Sequence, residues 1–167
     1  MLELNNLIKQ YDSIKAVDNI ELKIKKGDIF GFLGPNGAGK TTTIRMIMGI
    51  IEPDSGTILF NQKNISEYGR GELGYLPEDR GLYQKQKLEE TINYFASLRG
   101  LSKKRAIEQT HYWLERFDLY DQRNRKIEEL SKGNQQKIQF ILSLIHDPSL
   151  LILDEPFTGL DPLNQVL

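Results

Sequence analysis

The feature that most constrains the fold is a glycine-rich segment at residues 34–41, which reads G-P-N-G-A-G-K-T. It follows a continuous apolar run at residues 29–33, which predicts a buried strand, and precedes a helical pattern at residues 42–48. Glycines let backbone amides turn inward around phosphate oxygens, and the amino terminus of a helix adds a positive dipole. A chance glycine-rich turn is disfavoured because strand and helix stand on the expected sides. The segment therefore predicts a loop that binds the phosphates of a nucleotide.

A second apolar run, at residues 150–153, ends in two acidic residues, Asp154 and Glu155. A carboxylate at the carboxyl end of a buried parallel strand can face a metal, so we expect Asp154 to bind Mg²⁺. Glu155 is placed to polarise an attacking water as general base. A strand that simply ends in solvated acids would look the same when judged alone. After a phosphate loop, the pair predicts nucleotide hydrolysis.

Between these two motifs, residues 130–136 read L-S-K-G-N-Q-Q. Ser131 can cap the helix predicted at residues 133–146, and Gly133 leaves the backbone there without a side chain. A capped helix start with spare amides and a hydroxyl suits an anion. A plain helix cap with no ligand would use the same residues, so the segment taken alone leaves both interpretations open.

The remaining sequence alternates strand-like and helical patterns. Strand-like residues occupy 2–8, 20–24, 58–60 and 73–76, with turns that contain glycine or proline at residues 25–28 and 52–57. Apolar residues at helical spacing follow residue 88, and Ser102 can begin a second helix before the one predicted at residues 133–146. This order indicates an α/β core with a small antiparallel layer and an inserted helical subdomain.

Composition sets outer bounds on the function. The chain has 167 residues, 39% of them hydrophobic, which suits one domain with a small subdomain. A net charge of −1 gives no overall field for a nucleic acid, and the absence of cysteine excludes disulfides and thiolate metal sites. The first 25 residues show no signal pattern, and no apolar stretch is long enough to cross a membrane. We therefore expect a cytoplasmic protein.

Together the phosphate loop, residues 130–136 and the acidic strand resemble the nucleotide-binding domain of ATP-binding-cassette (ABC) proteins. The resemblance implies an α/β fold: a P-loop NTPase core with an antiparallel β subdomain and an inserted α-helical subdomain, incomplete at the carboxyl terminus. The core and β subdomain would occupy about residues 1–84 and 147–167, and the helical subdomain about residues 85–146. The implied cofactors are ATP and Mg²⁺.

The resemblance also implies roles for individual residues. The nucleotide-binding residues would be Tyr11, Val17, Gly34, Pro35, Asn36, Gly37, Ala38, Gly39, Lys40, Thr41 and Thr42. Tyr11 would stack on adenine with Val17 as an apolar contact, although a core tyrosine in a strand is the alternative. Lys40 would reach the β- and γ-phosphates and act in catalysis with Glu155. Thr41 and Asp154 would ligate Mg²⁺, together with Glu78, which stands where the family usually has glutamine.

Further implied residues would serve a second subunit. In the family, the segment that resembles residues 130–136 contacts the γ-phosphate held by the partner copy, which assigns that role to Ser131, Gly133 and Asn134. Lys132 and Asn134 depart from the usual glycine-type and glutamine-type residues. Asp161 resembles part of the loop through which two subunits touch, although a plain turn would use the same residues.

These roles predict an ATP-hydrolysing subunit that powers a membrane transporter. Two copies would form a head-to-tail dimer around ATP, attached to a membrane-spanning permease subunit at the inner face of the cell membrane, with no direct nucleic-acid partner. The residues around Glu78 resemble an exporter branch related to sodium-efflux and drug-efflux ATPases. The chain ends before the family's γ-phosphate histidine, for which neither His111 nor His146 can substitute.

Two alternatives stay open beside transport. One is a soluble ABC protein that acts on ribosomes or DNA, although those typically carry two cassettes or long insertions. The other is a fragment that binds ATP but hydrolyses little of it, because the family's last strand and histidine are missing. A signalling GTPase is disfavoured, since the chain has no N-K-x-D motif for guanine.

Overall fold

The computed structural model describes residues 1–68, 71–78 and 81–156. The chain divides into two compact units, Met1–Gly69 and Arg70–Leu167. The first contains the phosphate loop, and the second contains the acidic strand and residues 130–136. The subdomain boundaries expected from the family resemblance stay a prediction.

The first unit is built on a four-stranded antiparallel sheet with the order β2-β1-β3-β4. Its strands are β1 (Leu2–Tyr11), β2 (Ile14–Ile24), β3 (Ser55–Phe60) and β4 (Lys63–Asn64), and its helix is α1 (Lys40–Ile47). The core beneath the sheet consists of Leu2, Leu4, Leu7, Val17, Ile44, Met46, Ile47, Ile58, Phe60 and Ile65. The strands predicted in this third of the chain, apart from the one before the phosphate loop, are confirmed.

An irregularity in β1 explains its burial pattern. Leu4 and Leu7 are three residues apart and would face opposite sides of a regular strand, yet both are buried. The register of β1 against β2 shifts between them, and Asn6 adopts a left-handed φ of 48°. The bulge therefore returns Leu7 to the core face.

The buried strand predicted at residues 29–33 is wrong. These residues belong to no strand, and the side chains of Ile29 and Leu33 are exposed. An apolar run becomes a buried strand only where a neighbour accepts and donates its backbone hydrogen bonds. The strands β1–β4 pair with one another and leave residues 29–33 outside their ladder.

The second unit combines a parallel strand pair with three helices. The strands are β5 (Leu73–Leu76) and β6 (Leu150–Leu153), and the helices are α2 (Leu88–Leu98), α3 (Lys103–Arg116) and α4 (Lys132–Leu144). Their shared core consists of Leu88, Ile92, Ala96, Ala106, Leu114, Leu119, Leu130, Ile138, Ile141 and Ile145. The predicted helices are confirmed, including the start of α3, where Ser102 Oγ accepts a hydrogen bond from the Arg105 amide.

Helix α4 packs closely against β5. A Cβ atom at Gly74 would overlap the carbonyl oxygen of Ser143, so the glycine permits this approach. The register of the two strands pairs Leu76 with Leu153, which brings the carboxyl ends of β5 and β6 to one edge. No helix in the described part of the chain is long and apolar enough to cross a membrane.

Candidate functional site

The phosphate loop runs into α1, whose first residue is Lys40 and whose N-cap is Gly39, and leaves the start of that helix open to an anion. No side chain in the described part of the chain caps α1, and its first turn has no acidic residue. The first turn of α2, in contrast, has two, Glu89 and Glu90. Uncapped amides and an uncompensated dipole are the features that favour a bound phosphate.

Gly39 seats the loop against β2. Its φ is +83°, and a Cβ atom would overlap the carbonyl oxygen of Ala16 and lie 3.3 Å from Val17 Cγ2. Val17 is only 2% exposed, so its side chain packs beneath the loop. The contact of Val17 with adenine stays a prediction, while its support of the loop is visible.

Lys40 points its ammonium group at the loop itself. Nζ donates hydrogen bonds to the carbonyl oxygens of Gly34, at 2.7 Å, and Pro35, at 3.0 Å. The buried Thr43 hydroxyl donates to the Gly39 carbonyl at 2.9 Å, which fixes the first turn of α1. A positive charge therefore lies at the loop, where a phosphate would need it.

Tyr11 stands at the end of β1, where the strand turns into β2. The residue is 46% exposed, so the alternative of a core tyrosine does not describe it. The Lys9 Nζ atom lies 5.6 Å from the ring centroid, within the range of a cation–π contact. The ring thus offers a polarised aromatic surface to solvent.

Asp54, to which the sequence assigned no role beyond a turn, contacts the two residues just before Tyr11. Its Oδ1 lies 2.8 Å from Lys9 Nζ, and its Oδ2 accepts a hydrogen bond from the Gln10 amide at 2.7 Å. The hydrogen bond from Lys9 and that from Gln10 lower the pKa of the Asp54 carboxyl. The one available signal was an aspartate in the turn at residues 52–57 that opens β3.

In the second unit, Asp154 has the character of a metal ligand. It is 4% exposed, and its amide donates to the Leu76 carbonyl at 2.9 Å. The Oδ2 atom is buried and has no hydrogen-bond partner in the described ranges. A buried carboxylate oxygen without a partner is costly unless it binds a cation, and carboxylate oxygen is the ligand type that Mg²⁺ prefers.

Two other predicted carboxylates lie at the same edge of the strand pair. Glu78 follows β5 by two residues and is exposed, and Glu155 directly follows Asp154 and is also exposed. Glu155 has a φ of 48°, a conformation that costs a side-chain-bearing residue roughly 1 kcal/mol. The structure therefore brings Glu78, Asp154 and Glu155 to one edge, and the strained backbone at Glu155 is typical of a functional position.

Residues 130–136 form the capped helix start that the sequence predicted. Ser131 Oγ accepts a hydrogen bond from the Asn134 amide at 3.2 Å. The Gln135 side chain, not singled out from the sequence, donates to the carbonyl oxygens of Ile127 and Leu130, both at 3.1 Å. These contacts hold the chain that leads into α4.

Gly133 stands out within this helix start. Apart from its chain neighbours and the backbone of the helix itself, a Cβ atom there would meet no atom of the described residues within 4 Å. The described part of the chain thus gives no packing reason for a glycine at this position, although glycine destabilises a helix relative to alanine. A molecule that approaches the backbone from outside would supply such a reason.

The two histidines, to which the sequence assigned no part in the site, make contacts within the second unit. His146 donates through Nε2 to the Leu73 carbonyl at 3.1 Å, and burial lowers its pKa. His111 Nε2 lies 2.6 Å from Glu89 Oε1, between α3 and α2. Asp161 lies outside the described residues. Among the residues that are described, no group of three or more His, Asp or Glu side chains forms a metal cluster.

Known proteins resemble the chain over nearly its whole length. The family described as "ABC transporter" matches residues 17–158. The uncharacterized ABC transporter ATP-binding protein YhaQ of Bacillus subtilis is 49% identical over 164 residues, which cover 98% of the chain and 55% of YhaQ. The bacitracin transport ATP-binding protein BcrA of Bacillus licheniformis is 41% identical over 168 residues, which cover 98% of the chain and 54% of BcrA.

A solved structure agrees with these relatives. It is described as the ATP binding subunit of an ABC transporter, and it superposes with a TM-score of 0.86 at 32% identity. The alignment covers 99% of the chain and 70% of that structure. The chain spans about half the length of the curated relatives it matches.

Proposed function

The chain belongs to the ABC transporter family, and on that premise we propose that it binds and hydrolyses ATP within a subunit that powers a membrane transporter. Its α/β fold of P-loop NTPase type, expected from the sequence, is confirmed by the similarity to the solved ATP binding subunit. The observation that carries the proposal is the start of α1: an uncapped helix without acids in its first turn, with the Lys40 ammonium at the loop.

ATP would bind to the first unit through two features. The backbone amides of residues 34–41 and the Lys40 ammonium would hold the phosphates, and Thr42 would add to the contacts at the first turn of α1. The exposed ring of Tyr11 would stack on adenine, with Val17 as the neighbouring apolar residue. The polarised tyrosine surface and the anion-binding helix start both support this assignment.

A magnesium ion would be held by Thr41 and Asp154, with Glu78 as a further oxygen ligand. The buried, unpartnered Oδ2 of Asp154 supports this choice. Mg²⁺ neutralises charge on the phosphate oxygens during phosphoryl transfer. A glutamate at position 78 carries a charge that the family's usual glutamine lacks, and it strengthens the attraction for a cation.

Glu155 would act as the general base for hydrolysis. Its carboxylate follows the metal-binding Asp154 directly, and its backbone is held in a left-handed conformation. A strained residue at the end of a strand is a common way to aim a reactive side chain. The base would accept a proton from the attacking water while Lys40 stabilises the charge on the phosphate.

We assign residues 130–136 to the nucleotide of a second copy. Ser131 would offer its hydroxyl, Asn134 its amide, and Gly133 a bare backbone against the γ-phosphate held by the partner. The open space around Gly133 supports this assignment, because packing within the described residues does not require glycine there. Asp161 would lie in the loop that joins the two copies.

A membrane-spanning permease is the partner on which ATP-driven closure would act. Such a subunit would hold this protein at the inner face of the cell membrane. The relatives' names support a transport role, since BcrA is described as a bacitracin transport ATP-binding protein. Export of a drug-like or related compound is the direction that we propose for the intact transporter.

The substitution Glu155→Gln in the intact protein tests this function. We expect ATP binding to persist and hydrolysis to fall at least about 100-fold. An ATP-bound dimer should then accumulate, because without the general base the bound ATP is not hydrolysed and the dimer does not reopen. The rate of ATP hydrolysis and, by light scattering, the molar mass of the protein in the presence of ATP would be measured. Glu115→Gln, an exposed position on α3, makes the same charge change as a control. Unchanged turnover in Glu155→Gln would contradict the assignment.

A further inference from the structure

We propose that Asp54 is a positioning residue that sets the orientation of the Tyr11 ring toward the nucleobase, through the Gln10 main chain and the Lys9 ammonium. The inference rests on the proposed binding of ATP to the first unit and adds to it a residue distant in sequence from both the ring and the phosphate loop. Four contacts carry it: two hydrogen bonds of Asp54 to the main chain of β1, its contact with the Lys9 side chain, and the contact of Lys9 with the ring.

The backbone contact extends the sheet where its ladder ends. The pairing of β1 with β3 stops at Ile8 opposite Ser55. One residue before Ser55, the Asp54 amide donates to the Ile8 carbonyl at 2.9 Å, and Asp54 Oδ2 accepts from the Gln10 amide at 2.7 Å. The carboxylate thus takes the place of the carbonyl that another rung of the ladder would supply.

The hydrogen bond from Gln10 to the Asp54 carboxylate matters because the other edge of β1, which pairs with β2, is irregular at the same residue. The register of β1 against β2 shifts between Lys9 and Gln10. Beyond the shift, Gln10 and Tyr11 still pair with Lys15 and Ile14 of β2, whereas on the β3 side it is the Asp54 carboxylate that accepts the Gln10 amide. The hydrogen bond from Gln10 to Asp54 therefore fixes the main chain one residue before the ring.

The side-chain contact places a cation at the ring. The second carboxylate oxygen of Asp54 lies 2.8 Å from Lys9 Nζ, and the Lys9 side chain is only 16% exposed. The same Nζ lies 5.6 Å from the centroid of the Tyr11 ring. Lysine has four rotatable side-chain bonds, so a fixed ammonium position requires an anchor of this kind.

The Tyr11 ring depends on these contacts because no core holds it. With 46% of the residue exposed, the ring cannot be fixed by burial alone. The hydrogen bonds from Lys9 and Gln10 lower the pKa of the Asp54 carboxyl, because they favour its charged form. The Asp54 carboxylate holds both the Lys9 ammonium and the Gln10 main chain, and together these contacts orient the exposed Tyr11 ring.

The test compares two ligands that share their phosphates. ATP would contact both the ring and the phosphate loop, whereas inorganic tripolyphosphate would contact only the loop. Binding of each is measured by calorimetry for the wild-type chain, Asp54→Ala, Tyr11→Ala and the double variant. Asp54→Asn, which keeps an acceptor for Gln10 but loses the charge, and Lys9→Met serve as milder variants if Asp54→Ala folds poorly.

We expect Tyr11→Ala to weaken ATP binding roughly ten-fold. Asp54→Ala should weaken it about three- to five-fold, and Asp54→Asn and Lys9→Met somewhat less. Tripolyphosphate should bind all of these variants like the wild type. In the Tyr11→Ala background, Asp54→Ala should cause no further loss for ATP, because its effect passes through the ring.

Several results would overturn the inference. Equal weakening of ATP and tripolyphosphate in Asp54→Ala would mean a general loosening of the unit. Additive losses in the double variant, or an unchanged ATP affinity in Asp54→Ala, would remove the link to the ring. If Tyr11→Ala left ATP affinity intact while Lys40→Ala abolished it, the positioning role would fail and the ATP-binding function would stand. Failure of the wild-type chain to bind either ligand would contradict the proposed function itself.

Discussion

At the scale of single residues, Gly37 and Gly39 separate two reasons for a glycine in the phosphate loop. Both have a left-handed backbone, with φ of +81° and +83°. Among the residues that the structure describes, a Cβ atom at Gly37 would meet nothing within 4 Å, whereas one at Gly39 would overlap the Ala16 carbonyl oxygen. The first glycine therefore relieves backbone strain only, and the second also permits the loop to rest on β2.

This difference predicts unequal losses of stability. Gly37→Ala should lower the free energy of unfolding by about 1 kcal/mol, the cost of a left-handed alanine. Gly39→Ala should lower it by roughly 3 kcal/mol or more, because the loop and β2 must also separate. Urea denaturation of the two variants measures both values. Equal losses would show that the loop does not rest on Ala16.

Single residues also mark the limit of what the sequence could predict. Three features each lie within a few consecutive residues: the phosphate loop, the Ser131 cap and the acidic pair. Their chemistry can therefore be predicted from the sequence motif alone. Asp54 and Lys9 are 45 residues apart, and their pairing depends on β3 lying beside β1. A contact of that kind arises from topology, and the sequence carries no local sign of it beyond a turn aspartate.

Among the secondary-structure elements, α4 begins with two residues of opposite effect: Ser131 stabilises the helix and Gly133 destabilises it. Ser131 Oγ accepts from the Asn134 amide, and loss of such a cap costs about 1 kcal/mol. Gly133, two residues on, has open space where a Cβ would stand. The helix would be more stable with alanine at 133, so the glycine points to a requirement outside the helix.

Two substitutions at this helix start should therefore have opposite effects on stability. Ser131→Ala should lower the free energy of unfolding by about 1 kcal/mol. Gly133→Ala should raise it by about 0.5 to 1 kcal/mol, yet slow ATP hydrolysis in the intact protein by obstructing the partner's nucleotide. Chemical denaturation and steady-state ATPase rates measure the two effects. A Gly133→Ala protein that is more stable and fully active would refute the partner role.

The contact of His146, which follows α4, with Leu73 of β5 predicts that the stability of the fold depends on pH. Burial holds the pKa of His146 below its usual range while Nε2 donates to the Leu73 carbonyl. Because the unfolded chain takes up the proton more readily, stability should fall as pH drops below about 6.5. Arg99 adds to the penalty on the protonated ring, and Asp147 partly offsets it.

Denaturation from about pH 7.5 down to about pH 5.5 would measure this dependence. The variant His146→Gln keeps a donor for the Leu73 carbonyl but cannot titrate, so it is the matched control. The wild-type chain should lose more stability than the variant over this range. Parallel curves for the two proteins would exclude His146 as the source.

Elements also show why the strand prediction at residues 29–33 was wrong. The apolar pattern of that run is indistinguishable from that of β5 or β6, which do form strands. Those two strands pair with each other, whereas the ladder of β1 to β4 has no place for residues 29–33. Apolar sequence predicts burial, but only a neighbouring strand completes the backbone hydrogen bonds.

At the scale of the whole molecule, the chemistry is divided between two compact units. The phosphate loop and Tyr11 belong to Met1–Gly69, while Asp154, Glu155 and Ser131 belong to Arg70–Leu167. The sequence predicted the family, the helices and most strands because those signals are local and arrive in a fixed order. It did not predict this division, since the boundary follows from how the elements pack.

The division predicts that nucleotide binding and hydrolysis can be separated by substitution. Lys40→Ala should abolish ATP binding, because the ammonium at the loop is the principal charge available to the phosphates. Glu155→Gln should leave binding intact. The two variants differ from the wild type by a single charge each, so their comparison distinguishes loss of the site from loss of the chemistry.

The central claim, that residues 34–41 bind the phosphates of ATP, is tested most directly by titrating ATP with Mg²⁺ into three proteins in a calorimeter. These are the wild-type chain, Lys40→Ala, and Lys26→Ala, which removes an exposed lysine in the turn after β2. We expect saturable binding to the wild type and to Lys26→Ala, and an affinity at least about 100-fold weaker for Lys40→Ala. Equal affinity of all three proteins for ATP, or no binding by the wild type, would contradict it.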